Sequence, residues 1–186
     1  LIDLEIYPAT PDRWADVAAL FGERGACGGC WCMAWRLTSA EFERGKGAAN
    51  KTALEALVAG GAEPGLLAYA SGRPVGWVAL APREVYVRLE RSKTLKRVDD
   101  EPVWSISCLF VAKPFRRKGV SVALLRAACA YAESHGAHIV EGYPTEPNQA
   151  LPDPFVWTGL ASAFRQAGFM EVLRRSQTRP IMRAFV

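Results

Sequence analysis

The residues Lys113-Pro-Phe-Arg116-Arg117-Lys118-Gly119-Val120-Ser121-Val122 combine a proline, three consecutive cations and a glycine in one short stretch. Arginine and lysine supply charge and fixed donors for oxyanions. Gly119 has no Cβ, so a ligand can approach its backbone. The run after it is apolar at Val120, Ala123, Leu124, Ala127, Ala128 and Tyr131, the i, i+3, i+4, i+7, i+8, i+11 spacing of one helix face. A helix start leaves backbone N–H groups without partners and carries partial positive charge. A basic turn opening a helix therefore predicts phosphate binding; the plainer alternative is a solvated turn at an ordinary helix start. A second group is Cys27-Gly-Gly-Cys30-Trp-Cys32-Met33-Ala-Trp35-Arg36. Three thiols this close could bind a metal, form a reactive pair, or pack as small hydrophobes. The spacing is not that of a zinc finger and no fourth ligand lies nearby in sequence, so we expect no metal. Trp31, Met33 and Trp35 favour packing, as an apolar and aromatic wall.

The basic turn needs a strand before it and a helix after it. Val103 to Ala112 is apolar with β-branched and aromatic residues, as in a buried strand. After the helix and Gly136, His138–Tyr143 reads as a second strand, which makes a β-α-β crossover and hence a parallel pair. Upstream, Leu1–Ile6 reads as a short strand. A helix capped by Thr10 or Asp12 comes next, with Gly25 closing it. Thr38 or Ser39, with Glu41, starts a second helical region, and Asn50–Ala59 continues it. Leu66–Ala70 and Val75–Leu80 flank Ser71-Gly72 as a hairpin. Pro82 to Pro102 is a long charged connection, read as a solvated face, with Glu84 and Arg88 spaced for a helical ion pair. Pro144 to Pro154 is a proline-rich loop or lid, Trp157–Ala167 a helix, and Met170–Arg174 with Pro180–Val186 a closing antiparallel pair.

At 186 residues the chain suits a single domain, 1–186, with a real core. Half its residues are hydrophobic, which excludes a disordered chain. Lysine and arginine exceed aspartate and glutamate by 23 − 19 = 4, enough to suit an anionic ligand but no argument for nucleic acid. We expect neither a nucleic-acid nor a membrane partner, since no apolar run reaches membrane-spanning length. No signal-peptide pattern is present, and five cysteines, an odd number, suit a cytoplasmic thiol protein.

Arg116-Arg-Lys-Gly119-Val-Ser121 resembles the Arg/Gln-x-x-Gly-x-Gly/Ala pyrophosphate loop of the GNAT superfamily of N-acetyltransferases, with Ser121 where Gly or Ala is usual. The order of elements is also that superfamily's order, and Ala-Gly168-Phe169 resembles its terminal signature. The Cys-Trp-Cys-Met segment is similar to that of a bacterial-type subgroup. The resemblance implies an α+β (α/β) fold: a mixed, mostly antiparallel sheet with a parallel pair formed by the fourth and fifth strands, flanked by helices. It implies acetyl-CoA as acetyl donor, with no metal, and an acceptor that is an amine of a small molecule or peptide. A homodimer is compatible with it. The alternative is an acyl-CoA-binding sensor or regulatory module without transfer activity.

By the same resemblance, backbone groups of Leu109, Phe110 and Val111 hold the acetyl-pantetheine arm, and Arg116, Arg117, Lys118, Gly119, Val120, Ser121 and Val122 hold the pyrophosphate. An N–H near Leu109 polarises the thioester carbonyl. Glu141, in Ile-Val-Glu141-Gly142, resembles the Leu-Glu-Val of N-terminal acetyltransferases, where the glutamate serves as base through water; Gly142 departs from it. Otherwise Glu141 simply hydrogen-bonds within the splayed sheet. Ser105 and Ser107 share a strand face and could position a water. Where many relatives have an acidic Tyr there is Phe164, and where they have Asn there is Trp157. Tyr143, Thr158 or Cys108 could replace that acid, or solvent could protonate the leaving thiolate. The segment Cys27–Arg36 would line the acceptor side, with Arg36 as an anchor for an anionic group.

Overall fold

The computed structural model describes residues 2–148 and 156–186. β1 (Glu5–Pro8) leads through a 3-10 turn (Pro11–Arg13) into α1 (Trp14–Phe21). Gly22, at φ 62°, ends α1, earlier than the expected Gly25. A tightly coiled segment then leads to α2 (Ser39–Gly45). Thr38 and Glu41 cap it reciprocally, the Thr38 side chain taking the Glu41 N–H and the Glu41 carboxylate taking the Thr38 N–H. Lys46 and Gly47 break the helical path before α3 (Ala48–Ala59).

β2 (Gly65–Ala70) and β3 (Arg73–Pro82) form the expected hairpin. A 3-10 turn (Arg83–Val85) and the short α4 (Val87–Glu90) come next, then β4 (Trp104–Val111), α5 (Val120–Ser134) and β5 (Ile139–Gly142). The chain closes with α6 (Ala161–Gln166), β6 (Met170–Arg174) and β7 (Pro180–Phe185). The sheet order is β1-β2-β3-β4-β5-β7-β6, antiparallel throughout except for the parallel β4–β5 pair. This is the architecture the sequence predicts. No helix among the described residues is long and apolar enough to cross a membrane.

Two apolar layers hold the sheet. α5 buries Val120, Leu124, Leu125, Ala128 and Ala132 against one face. Each fully buried leucine there contributes about 1.5–3 kcal/mol of transfer free energy. α1, α3 and the Cys27–Arg36 segment cover the other face around Trp77, Phe21, Trp31 and Leu54.

Three local readings need correction. The connection after β3 is not a solvated face: Arg83 is wholly buried and Tyr86 and Leu89 are core residues. Glu84 does not pair with Arg88. It accepts from Arg97 at 2.9 Å, while Arg88 donates to the Ala34 carbonyl at 2.7 Å. The helix expected over Trp157–Ala167 begins only at Ala161, because residues 156–160 instead hydrogen-bond to Leu109 and Thr145. Part of the proline-rich segment lies outside the described residues.

Candidate functional site

Two irregularities in β4 create the site. Opposite Ala79 and Leu80, strand β4 places Cys108 and Ile106, so Ser107 is an extra residue, a bulge. The bulge re-aims Ser107 and Cys108 toward the face that carries Tyr86 and Trp77. β5 then leaves β4, pairing only at Trp104↔Val140, Ser105↔Glu141 and Ile106↔Gly142. Beyond Ile106 the edge of β4 that faced β5 has lost its neighbour.

The chain's own backbone fills part of that gap. The Leu109 N–H donates to the Trp157 carbonyl at 2.7 Å. On the other side, the Thr145 N–H donates to the Gly159 carbonyl at 2.8 Å, and the Ala161 N–H to the Thr145 carbonyl at 3.0 Å. Residues 156–160 thus bridge the two diverging strands. The Trp157 ring packs on Trp35, centroids 5.8 Å apart.

At the end of β4 the basic turn has the form of an anion cradle. Arg117 and Gly119 both hold left-handed backbones, φ 59° and 83°. Alternating left- and right-handed residues make successive N–H groups converge on one point. Gly119 is the N-cap of α5 and makes no side-chain capping bond, so the first turn of that helix has no cap of its own. A Cβ on Gly119 would meet nothing within 4 Å, so the approach is open. Arg116 Nε donates to the Val111 carbonyl at 2.9 Å, tying the turn to β4. Arg117 and Lys118 form no ion pair among the described residues. The Val120 side chain is buried in the core beneath α5, so only its backbone faces outward. These groups fit a pyrophosphate.

Glu141 lies deep in the sheet, with 1% of its surface exposed. Its Oε1 accepts from Arg83 Nη1 at 3.1 Å and from the Tyr143 hydroxyl at 2.7 Å, and its Oε2 accepts from Arg183 Nε at 2.8 Å. Arg83 also donates to Glu90 at 2.7 Å and to the Leu95 carbonyl at 2.8 Å. Arg183 grips Asp99 with two bonds of 2.6 and 2.9 Å. The result is an alternating chain, Glu90–Arg83–Glu141–Arg183–Asp99, that ties the ends of β3, β5 and β7 to the charged connection. Sequence inspection misses Arg83 and Arg183; their only signal is a cation placed at or inside an apolar strand.

Tyr143 shares this cluster. Its hydroxyl accepts from Arg83 Nη1 at 2.5 Å and meets the Ser105 hydroxyl at 2.8 Å while donating to Glu141. Burial, reinforced by the Glu141 charge, pushes its phenol well above the ordinary tyrosine value. Ser105 is therefore engaged by Tyr143. Ser107 is 2% exposed and its hydroxyl has no hydrogen-bond partner.

Two departures from the superfamily pattern compensate one another. A Cβ on Gly142 would lie 2.1 Å from Phe164 Cε1. The ring of Phe164 is wholly buried over that glycine. A β-branched residue after Glu141 and the Phe164 ring in this position exclude each other.

The thiols grade from surface to core. Cys27 is exposed, Cys30 half-buried with its Sγ 3.4 Å from the Gly25 carbonyl, and Cys32 and Cys108 are buried. Trp77 Nε1 donates to Cys32 Sγ at 3.3 Å, and the Cys108 thiol donates to it as well. These bonds lower the Cys32 thiol, whereas the bond to Cys32, then burial, pushes Cys108 up. Among the described residues no three His, Cys, Asp or Glu side chains are placed to hold a metal ion.

The comparisons with known proteins agree with this geometry. The acetyltransferase (GNAT) family profile matches residues 31–151, well over half of the chain. No curated protein matches the chain. Among solved structures, the PaiA N-acetyltransferase of Thermoplasma acidophilum in complex with coenzyme A is similar at a TM-score of 0.56 and 15% identity, over 100% of both chains. The polyamine N-acetyltransferase of Drosophila melanogaster, which forms N-acetylagmatine, superposes at a TM-score of 0.60 and 11% identity, covering 99% of this chain and 100% of that one. A GNAT-family acetyltransferase from Streptococcus pneumoniae gives 0.58 and 16%, over 99% of both.

Proposed function

The chain belongs to the GNAT acetyltransferase family, and on that premise we propose that it transfers an acetyl group from acetyl-CoA to an amine of a small molecule or peptide, by direct attack of the amine on the thioester. The observation that carries this is the pairing of an uncapped, basic α5 N-terminus with a β4 edge that β5 has abandoned. Arg116 to Val122 receive the pyrophosphate through backbone N–H groups and the Arg117 and Lys118 side chains. Leu109, Phe110 and Val111 offer main-chain groups to the extended arm, as an added strand would use them. The thioester supplies the activated acyl carbon. The Leu109 N–H polarises its carbonyl once the Trp157 carbonyl has withdrawn. The Cys-Trp-Cys-Met segment supports membership of a bacterial-type subgroup.

The catalytic roles are argued from what each group already touches. Glu141 accepts from two guanidinium groups and a phenol, so we assign it to holding the sheet ends together rather than to taking the amine proton. Tyr143 is saturated in the same way. Ser107, unpartnered on the bulge two residues before Leu109, is the group left to order the water that receives the proton. A thiol of pKa about 8.5 leaves without strong acid assistance, so Phe164 in place of a tyrosine does not prevent turnover.

The second reading is an acyl-CoA sensor without transfer, favoured by one observation: the donor expected to polarise the carbonyl is already bonded to Trp157. Calorimetric titration with acetyl-CoA tests what the two readings share. A thiol-release assay over an amine panel separates them, and cofactor binding without any release would leave the sensor.

A further inference from the structure

Among the described residues, five buried side-chain nitrogen or oxygen atoms lack a hydrogen-bond partner: Trp35 Nε1, Asn50 Oδ1, Tyr86 Oη, Ser107 Oγ and Arg179 Nε. An orphaned buried polar group costs about 1–3 kcal/mol, so such groups are sparse and call for a physical reason. Three of these belong together. Trp35 packs against the cluster that contains Tyr86. Tyr86 is wholly buried, and the Ser107 side chain is close enough to bear on its hydroxyl. Ser107 in turn is two residues from Leu109, where the acyl carbon would be held.

Arg36 completes the group. Its guanidinium lies over the Tyr86 ring, 4.9 Å from the centroid. Its charge reaches both the Tyr86 hydroxyl and the Cys32 thiol. It forms no ion pair among the described residues, whereas Arg83, Arg97 and Arg183 all do. Of the donors nearby, Trp77 bonds Cys32, while Arg88 gives one N–H to the Ala34 carbonyl and lies over the Trp35 ring. The Tyr86 and Ser107 hydroxyls and the Arg36 guanidinium thus lie together, with the unpartnered Trp35 indole N–H in the same cluster. An indole N–H and a guanidinium only donate, and both hydroxyls can donate. Glu141, the buried carboxylate among the described residues, is neutralised by Arg83 and Arg183. The Trp157 ring packs on Trp35 in the same conformation in which its carbonyl holds the Leu109 N–H. Displacing that segment would free both at once.

We propose that the acceptor is an amino-carboxylate: its amine lies by Ser107 and Leu109, and its carboxylate is received by Arg36 with the Tyr86 hydroxyl and the Trp35 indole. A planar carboxylate takes two parallel bonds from a guanidinium, which a neutral amide cannot match. This substrate class rests on the acyl-transfer function proposed above, and Arg36, Tyr86 and Trp35 act as its specificity determinants.

The test uses the full chain with saturating acetyl-CoA and compares thiol release for each common L-amino acid with that for its own primary amide. At least one free acid should exceed its amide in kcat/KM by roughly 10-fold or more, since a site built to bond a polar group rejects analogues that lack it. Arg36→Gln should bring that ratio to within about 3-fold, chiefly by raising KM for the free acid, while leaving acetyl-CoA affinity unchanged, and Arg36→Lys should restore part of it, as expected of a charge without the planar fork. Thermal melts confirm that each variant is folded. No acid exceeding its amide, or a preference that survives Arg36→Gln, overturns the proposal. If no amine is acetylated although acetyl-CoA binds, the transfer function fails by itself. Calorimetric titration of the CoA-loaded protein with N-acetyl amino acids and their amides then decides the carboxylate site: an Arg36-dependent preference for the acid upholds it, and equal binding sinks it.

Discussion

Glu141→Gln tests whether this residue holds the structure or takes a proton. The substitution keeps the shape and removes the charge. In the native chain both oxygens of Glu141 accept only, from Arg83, Tyr143 and Arg183, at 2.7–3.1 Å. A glutamine must turn one N–H₂ toward a guanidinium or a phenol, so at least one bond becomes a donor–donor repulsion. Breaking a buried ion pair costs about 3–5 kcal/mol. Arg83 keeps Glu90 and the Leu95 carbonyl, and Arg183 keeps Asp99, which argues for the lower end, about 3 kcal/mol. For a chain of this length that is a fall in Tm of roughly 6–12 °C. Scanning calorimetry and urea unfolding read it directly. Thiol release, measured well below the lowered Tm, reads the chemistry of the folded fraction, which should stay within about 3-fold of the native protein, far from the 10²–10⁴-fold loss expected for a general base. A variant as stable as the native protein, but with transfer reduced beyond 100-fold and the basic limb of its pH profile lost, would refute the structural assignment and restore Glu141 as the base.

Asp99 is held below the usual carboxylate range by the Arg183 guanidinium, and Glu146 by Arg165 and Arg174. Their stabilising contribution is complete above the unfolded carboxylate values near 4 and is lost as pH falls through the lowered folded ones, so urea midpoints should be flat from about pH 7 to 5 and drop below about 4. Burial pushes the Cys129 thiol up to about 11; its alkylation, followed by mass spectrometry, should rise about tenfold per pH unit from 8 to 10 and lag behind exposed Cys27, and a plateau below pH 9.5 would contradict this. Trp157→Ala removes the ring contact with Trp35 that holds the covering segment, so calorimetry should find acetyl-CoA binding about 2- to 10-fold tighter, the equivalent of an aromatic pair worth about 0.5–1.5 kcal/mol; weaker binding would mean that the ring itself contacts the cofactor. Gly142→Ala drives a methyl into Phe164 and should cost about 1–3 kcal/mol, with Phe164→Leu in the same chain recovering part of it.

What the sequence shows of this fold is what local physics alone decides. The apolar run of β4, the cation–glycine turn and the helical stripe of α5 need no partner to be read, and the structure keeps them in place. The Thr38–Glu41 capping box is equally local. Long-range choices stay hidden. Nothing in Trp157-Thr-Gly-Leu160 indicates that its carbonyls answer the empty edge of β4 instead of starting a helix. Arg83 and Arg183 pass for surface charges because they lie 58 and 42 residues from Glu141 in the chain. Of the proposed site, the phosphate cradle is legible because it is built from consecutive residues. The proposed acceptor side is not, because Trp35, Arg36, Tyr86 and Ser107 come from three segments far apart in the chain.

The divergence of β4 and β5 also bears on how the protein behaves between catalytic cycles. A gap opened in the middle of a sheet exposes strand edge on both sides, and an exposed edge is a template for another chain's strand. Residues 156–160 close that gap from within, through Leu109 and Thr145. On the proposed function the segment that gives way to acetyl-CoA is also the one that blocks edge pairing, and changes that loosen it to gain cofactor affinity should shorten the shelf life of the apo form. Light scattering on stored Trp157→Ala, with and without CoA, would reveal that trade.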